Sequence, residues 1–187
     1  MTRVGLWRWF GVPFALAVIA CSPALNWREV RLEGLTAMLP CKPDHAVRTV
    51  RLGAHEVAME MAGCEAVDAL YAISHVRSPD ATQSRNLQVH WRTAILGNLQ
   101  ATSVQTRDFK LAKAPVDAYQ VPFNPAVTDP GAQWELLWAQ GQREDASTVQ
   151  ARLLWFSIGA DTYHVAVYGA RLTPEAVDML YSDLRLQ

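Results

Sequence analysis

The chain has 187 residues, of which 50% are hydrophobic and 19% are charged, and its formal net charge is −1. This composition is typical of a folded globular protein and not of a disordered one. The near-zero net charge and the lack of a run of lysine and arginine argue against nucleic-acid binding, so we expect no nucleic-acid partner.

The N-terminal segment has the parts of an export signal. Arg3 and Arg8 precede an apolar stretch over residues 11–19. This stretch is shorter than the roughly 20 residues of a membrane-spanning helix. We therefore predict that residues 1–20 are a signal peptide. The alternatives are a retained N-terminal transmembrane helix and a signal that is cut elsewhere.

The signal ends in Val-Ile-Ala-Cys at residues 18–21, which resembles the lipobox of bacterial lipoproteins. The class prefers leucine where Val18 stands. The resemblance implies cleavage before Cys21, acylation of Cys21 as a lipid anchor, and a tether over residues 21–26. Ser22, directly after the cysteine, is not acidic, and this resembles the default signal that sorts Gram-negative lipoproteins to the outer membrane. We therefore expect a protein anchored by lipid in the outer membrane and facing the periplasm.

The two other cysteines are predicted to pair. If Cys21 carries lipid, then Cys41 and Cys64 remain as an even pair in an oxidising compartment. Free buried thiols and a metal site are the alternatives. The metal site is the weakest of the three, because structural zinc needs four ligands and only His45 and His55 lie between these cysteines. We predict a disulfide, and neither a metal nor a cofactor.

We place one domain over residues 27–187, and its first part shows the alternation of antiparallel strands. Residues 40–44 form a proline-rich turn, and residues 63–65 (Gly-Cys-Glu) are expected to end the fourth strand. The strands predicted in this part cover residues 27–33, 35–39, 46–52, 55–61 and 67–76.

The two-residue alternation of apolar side chains ends before Ser78. Ser78 is predicted to cap a helix that begins at Pro79. An apolar residue then recurs every four positions, which indicates a helix with one face on a sheet. These apolar residues are Leu87, Trp91, Ile95 and Leu99. Residues 115–130 contain four prolines and are predicted to form a loop, which is either a crossover connection or a functional segment.

Alternation returns in the C-terminal part of the chain, where a second helix is predicted from Thr173 to Gln187. The predicted order of elements is thus a group of strands, a helix, a second group of strands and a second helix. This order predicts an α+β fold in which an antiparallel sheet is covered by a central and a C-terminal helix. The strands predicted in this part cover residues 102–106, 133–140, 148–158 and 162–168.

Several short segments resemble known families. The Gly-Ala-Asp turn at 159–161, the Thr-Pro-Glu helix start at 173–175 and the end at 182–186 look like the closing half of PsbP-like domains. This resemblance implies an α/β/α sandwich that acts as a binding or assembly module, and it brings no catalytic residues. The segments 40–44 and 63–65 are also similar to small uncharacterised proteobacterial lipoproteins.

The sequence contains no recognisable catalytic motif. The Gly-x-Ser-x-Gly elbow and the glycine-rich phosphate loop are absent. His55 and Glu56 begin a zinc-peptidase motif, but Met59 stands where its second histidine is needed. Cys64 is a candidate reactive thiol only if it is unpaired. We therefore assign no catalytic residue.

Trp134 and Trp138 lie on one face of a predicted strand. They either pack in the core or form an exposed aromatic strip for a peptide, glycan or lipid, and we name them as a candidate binding patch. We expect a non-catalytic binding or assembly lipoprotein whose partner is an envelope protein or a small ligand. The alternatives are a periplasmic hydrolase or thiol enzyme, and a small-ligand carrier with an N-terminal transmembrane anchor.

Overall fold

A computed structural model describes residues 25–107 and 133–186, which form ten strands and two helices. The predicted signal, Cys21 and the proline-rich segment 115–130 lie outside these ranges. The elements in chain order are β1 Arg28–Leu32, β2 Leu35–Leu39, β3 Asp44–Leu52, β4 His55–Ala66, β5 Ala69–Arg77, α1 Ala81–Asn98, β6 Ser103–Arg107, β7 Gln133–Gln142, β8 Thr148–Ile158, β9 Asp161–Gly169, α2 Pro174–Ser182 and β10 Arg185–Leu186. No helix within the two described ranges is long and apolar enough to cross a membrane.

The main sheet is antiparallel and has seven strands in the order β3-β4-β5-β9-β8-β7-β6. Hairpins build each half, and β5 pairs with β9 to join the halves at the centre. A second, three-stranded sheet has the order β1-β2-β10.

The main sheet separates two apolar cores. On one face α1 covers a cluster that includes Leu87, Trp91 and the fully buried Trp155. On the other face the three-stranded sheet and α2 cover a cluster that includes Tyr71 and Phe156. Strand β8 contributes side chains alternately to the two cores, and seven of its eleven residues are therefore buried.

The predicted α+β class and the antiparallel sheet are confirmed, whereas the predicted α/β/α sandwich is wrong. One face of the main sheet is covered by a second sheet together with a helix of only nine residues. The physical reason lies at the C-terminus, where the chain leaves the helical conformation after Ser182. Arg185 and Leu186 then pair with Thr36 and Leu35 of β2, where a longer helix was expected.

Two predicted boundaries in the first half of the domain are also wrong. Strand β4 continues through residues 63–65, because Gly63 lies where the backbone of β5 approaches closely and does not form a turn. The cap of α1 is Asp80 and not Ser78. The Asp80 carboxylate accepts hydrogen bonds from the backbone N–H groups of Thr82 and Gln83 at 2.8 and 2.9 Å.

The predicted disulfide between Cys41 and Cys64 is confirmed. It ties the connection between β2 and β3 to the interior of β4, at the margin of the core beneath the three-stranded sheet. The link therefore holds the small sheet to the main one.

Candidate ligand-binding groove

An open concave surface lies where α1 ends above the main sheet. The helix stops at Asn98, and its cap residue Leu99 is fixed to the sheet because the Leu99 carbonyl accepts a hydrogen bond from the Gln142 N–H at 2.8 Å. Beyond this point none of the described helices covers the sheet, and Leu70 of β5 is 38% exposed. The abrupt end of α1 therefore leaves a groove.

The part of the groove next to α1 is mainly apolar and has a volume of about 440 Å³. This volume lies within the range of ~300–1,000 Å³ of small-molecule sites. Its apolar surface comes from the last turn of the helix and from three adjacent strands. The residues that provide it are Leu70, Ile95, Leu99, Val149 and Tyr168.

A second, polar part of the groove adjoins the first and has a volume of about 410 Å³. It surrounds the tight turn between β4 and β5, in which Val67 and Asp68 have φ angles of 49° and 58°. Such a turn favours asparagine and glycine, and a β-branched residue at positive φ is strained. Val67 nevertheless occupies it with 62% of its side chain exposed.

Glu65, Leu70 and Arg143 line both parts of the groove, so they mark the boundary between them. Arg143 belongs to the β7–β8 hairpin, and Glu65 pairs with Leu70 across β4 and β5. Within the described part of the chain, neither Arg143 nor Glu65 forms a salt bridge. The boundary therefore offers a guanidinium and a carboxylate that are both open to a ligand.

Tyr168 contributes the one phenol of the apolar part. Burial raises the pKa of Tyr168, so the side chain is neutral at physiological pH. Its hydroxyl has no hydrogen-bond partner among the described residues, and a neutral hydroxyl both donates and accepts. The apolar part of the groove therefore carries a neutral hydroxyl next to its apolar side chains.

No protein-family model, curated protein or solved structure matches this chain.

The predicted aromatic patch is divided by the fold. Trp134 and Trp138 lie on the same face of β7, as predicted. Trp134 is half-buried against the core, whereas Trp138 is 38% exposed with the Arg152 guanidinium 4.2 Å from its ring centroid. Ligand binding at this patch stays a prediction.

The thiol-enzyme alternative has no free thiol in the described structure. Cys41 and Cys64 are joined to each other, so Cys64 cannot act as a nucleophile while the disulfide is intact. Cys21 lies outside the described residues, and its acylation stays a prediction.

A histidine–aspartate pair lies at the other end of the central strands. The His75 Nε2 is 2.8 Å from the Asp161 Oδ1, and the His75 ring lies 5.0 Å from the ring of Tyr163. His75 is only 3% exposed. A general base must reach the proton that it removes. The pair is therefore a buried structural contact in this conformation.

The described residues contain no group of three or more histidine, cysteine, aspartate and glutamate side chains placed to hold a metal ion. His45 and His55, the two histidines between the cysteines, lie at opposite ends of the β3–β4 hairpin. The expectation that no metal is bound stays a prediction.

His164 is the most strongly perturbed base in the described structure. Its ring stacks on Trp155 with the ring centroids 4.3 Å apart, and Trp91 of α1 lies 5.3 Å away. Complete burial lowers the pKa of His164 from 6.5 to about 3. The folded protein therefore keeps this side chain neutral under conditions in which the unfolded chain protonates it.

This burial predicts a loss of stability in acid. The folded-state pKa of His164 is depressed, so the stabilisation is complete above pH 6.5 and is lost as the pH falls from 6.5 towards 3. We expect the free energy of unfolding of the wild type to fall by about 2 kcal/mol more than that of His164→Phe between about pH 7 and pH 5. Urea unfolding at both pH values measures this difference. Equal losses in the two proteins would contradict it.

The sequence alone did not identify the groove. Its residues come from β4, β5, α1, the β7–β8 hairpin and β9, and no local motif connects them. One signal was available: Leu70 alternates with Ala69 and Tyr71, which places an apolar residue on the face opposite to the predicted core face. That face is indeed the one that α1 covers, but the sequence does not show where the cover stops.

Proposed function

We propose that this protein is a non-catalytic binding lipoprotein of the bacterial cell envelope that holds a ligand in the groove at the end of α1. The observation that carries the proposal is the contrast between the two kinds of surface. The groove is open, has an apolar and a polar part, and is bordered by Glu65 and Arg143, which form no salt bridge among the described residues, whereas the titratable pairs elsewhere in the described structure are buried or form surface contacts. An open site without converging acid, base and nucleophile suits binding better than catalysis.

The anchoring part of the proposal rests on the lipobox-like sequence at residues 18–21. Several acyl chains on one residue would hold the protein firmly, because each buried CH₂ contributes about 0.8 kcal/mol. The groove would then work close to a membrane surface while the domain remains outside the bilayer.

The anchor predicts the behaviour of Cys21→Ser. In cells that export the protein, we expect the wild type in the membrane fraction and Cys21→Ser in the soluble fraction, because the variant has no thiol to acylate. Immunoblotting of the two fractions measures this distribution. A variant that stays with the membrane would favour the retained transmembrane helix over the lipid anchor.

The binding part of the proposal predicts the effect of a single apolar side chain. We expect anilinonaphthalene sulfonate, an apolar fluorescent anion, to bind to the wild type and to bind about tenfold more weakly to Leu70→Gln, since burying a leucine contributes about 1.5–3 kcal/mol. Fluorescence titration gives both dissociation constants.

Val89→Gln is the matched control, because Val89 is an exposed apolar residue on the outer side of α1 with 58% exposure. We expect its dissociation constant to equal that of the wild type. If Leu70→Gln also leaves the dissociation constant unchanged, the probe does not bind in the groove and the proposed function is wrong.

A further inference from the structure

We infer that the ligand of the groove is an amphiphile with a single hydrocarbon chain and a zwitterionic head group that contains a phosphate and an ammonium. This inference rests on the proposed function and names the chemical class that the groove takes.

The division of the groove sets the amphiphilic character. An apolar part of about 440 Å³ and a polar part of about 410 Å³ share Leu70 and two charged residues, so one molecule placed along the groove meets both. The apolar volume lies near the lower end of the range for small-molecule sites, ~300–1,000 Å³, which favours one chain over two. A purely apolar ligand would leave the polar part unused.

The charges at the boundary set the head group. Arg143 forms no salt bridge among the described residues, although it interacts electrostatically with the neighbouring Asp145. It presents a guanidinium to the groove, which matches phosphate geometry through parallel N–H donors. Glu65 and Asp68 lie in the same polar part and present carboxylates, which favour an ammonium. An anionic head alone would satisfy Arg143 but would be repelled by the two carboxylates, so a head with both charges fits best.

The end of α1 adds to the preference for a cation. The last turn of α1 contains no basic residue, and the C-terminal end of a helix carries partial negative charge. Asn98 and Leu99 place this end directly on the groove. The partial charge therefore acts together with Glu65 and Asp68.

The turn beneath the polar part is consistent with selection for binding. An exposed valine at positive φ lowers the stability of the fold, and strain of this kind is retained where the side chain serves another purpose. Val67 gives the polar part an apolar edge, against which the glycerol and the first carbons of a chain would lie.

The test compares three probes with the same chain length, each used below the concentration at which it forms micelles. Palmitoyl lysophosphatidylethanolamine carries phosphate and ammonium, palmitoyl lysophosphatidylglycerol carries phosphate alone, and palmitate carries neither. The protein is the full chain with Cys21→Ser, so that its own acyl chains cannot compete. Each probe displaces bound anilinonaphthalene sulfonate, and the displacement gives its dissociation constant.

We expect the ethanolamine probe to bind at least about tenfold more tightly than either of the others. Arg143→Gln should weaken both phosphate-containing probes about tenfold and leave palmitate within about twofold. Glu65→Gln should weaken the ethanolamine probe and bring its dissociation constant closer to that of the glycerol probe, while Asp68 and the end of α1 keep part of the preference. Arg48→Gln removes an exposed arginine on β3 that pairs with Met59, six positions along β4 from Glu65, and should change none of the three.

The outcomes separate the inference from the proposed function. If the fluorescent probe binds in the groove but the three amphiphiles bind equally, the zwitterionic head is wrong and the binding function stands. If palmitate binds most tightly, the ligand is a fatty acid and the inference is also wrong. If no probe binds to the wild type, the proposed function fails and the inference fails with it. Arg143, Glu65 and Arg48 are all exposed, so their substitution should not unfold the protein. Unchanged midpoints of thermal unfolding would show that the three variants are folded.

Discussion

Replacing both Cys41 and Cys64 by alanine is expected to lower the free energy of unfolding by about 3 kcal/mol. The disulfide closes a loop with a sequence separation of 23, and its main effect is to reduce the conformational entropy of the unfolded chain. Alanine is preferable to serine because Cys64 is buried in the core beneath the small sheet, where an unpaired hydroxyl would add a separate cost. Urea unfolding followed by tryptophan fluorescence measures the change.

The reduced wild type is the control for this experiment. Its stability in excess dithiothreitol should fall towards that of the double alanine variant, whereas dithiothreitol should leave the variant unchanged. A loss below about 1 kcal/mol in the variant would show that the disulfide does not hold the small sheet in place.

Gly141→Ala is expected to destabilise the protein by about 3 kcal/mol. A Cβ added at Gly141 would lie 2.0 Å from the carbonyl oxygen of Leu99, which is backbone and cannot rotate away. The end of α1 would have to move off the sheet, and the hydrogen bond from the Gln142 N–H to this carbonyl would be lost. Since the same contact forms one end of the groove, the variant should also bind anilinonaphthalene sulfonate more weakly than the wild type.

Gly97→Ala is the matched control. Gly97 lies in α1, and nothing lies within 4 Å of the position that its Cβ would take. Alanine should therefore stabilise the helix by up to about 1 kcal/mol, because glycine is the poorer helix former. Thermal and urea unfolding compare the two variants. Equal effects would contradict the close approach of α1 to β7.

Alternation in the sequence predicted the strands well where one face is buried. The bounds of β2, Leu35–Leu39, and of β8, Thr148–Ile158, agree with the prediction at both ends. The apolar stripe of α1 was also correct, since Leu87 and Trp91 are buried and Ile95 and Leu99 pack against the same cluster. These features depend on residues that are close in sequence, so the spacing of the apolar residues is visible directly in the amino-acid sequence.

Features that depend on tertiary contacts were missed. The sequence around Gly63 predicts a turn, although it is the close approach of β5 that requires glycine there. The apolar pattern predicts that the second helix continues to Gln187, because nothing near Arg185 indicates that it pairs with Thr36 near the start of the chain. The covering of one sheet face by a second sheet follows from this distant pairing, which local periodicity does not contain.

The candidate site shows the same limit. Alternation placed Trp134 and Trp138 on one face, but their different burial depends on how far the core extends under β7. Glu65, Leu70 and Arg143 are far apart in the sequence, and only the end of α1 and the order of the strands bring them to one groove. Disulfide pairing succeeded because only two cysteines remained once Cys21 was set aside.

The central claim is that an amphiphile binds where α1 ends. Methyl NMR during titration with palmitoyl lysophosphatidylethanolamine tests it most directly, because methyl groups report contact residue by residue. The account predicts shifts for the methyl groups of Leu70, Ile95 and Val149, which line the groove, and none for Val47 and Val89, which are exposed elsewhere. Shifts confined to other methyl groups, or no shifts at saturating probe, would contradict it.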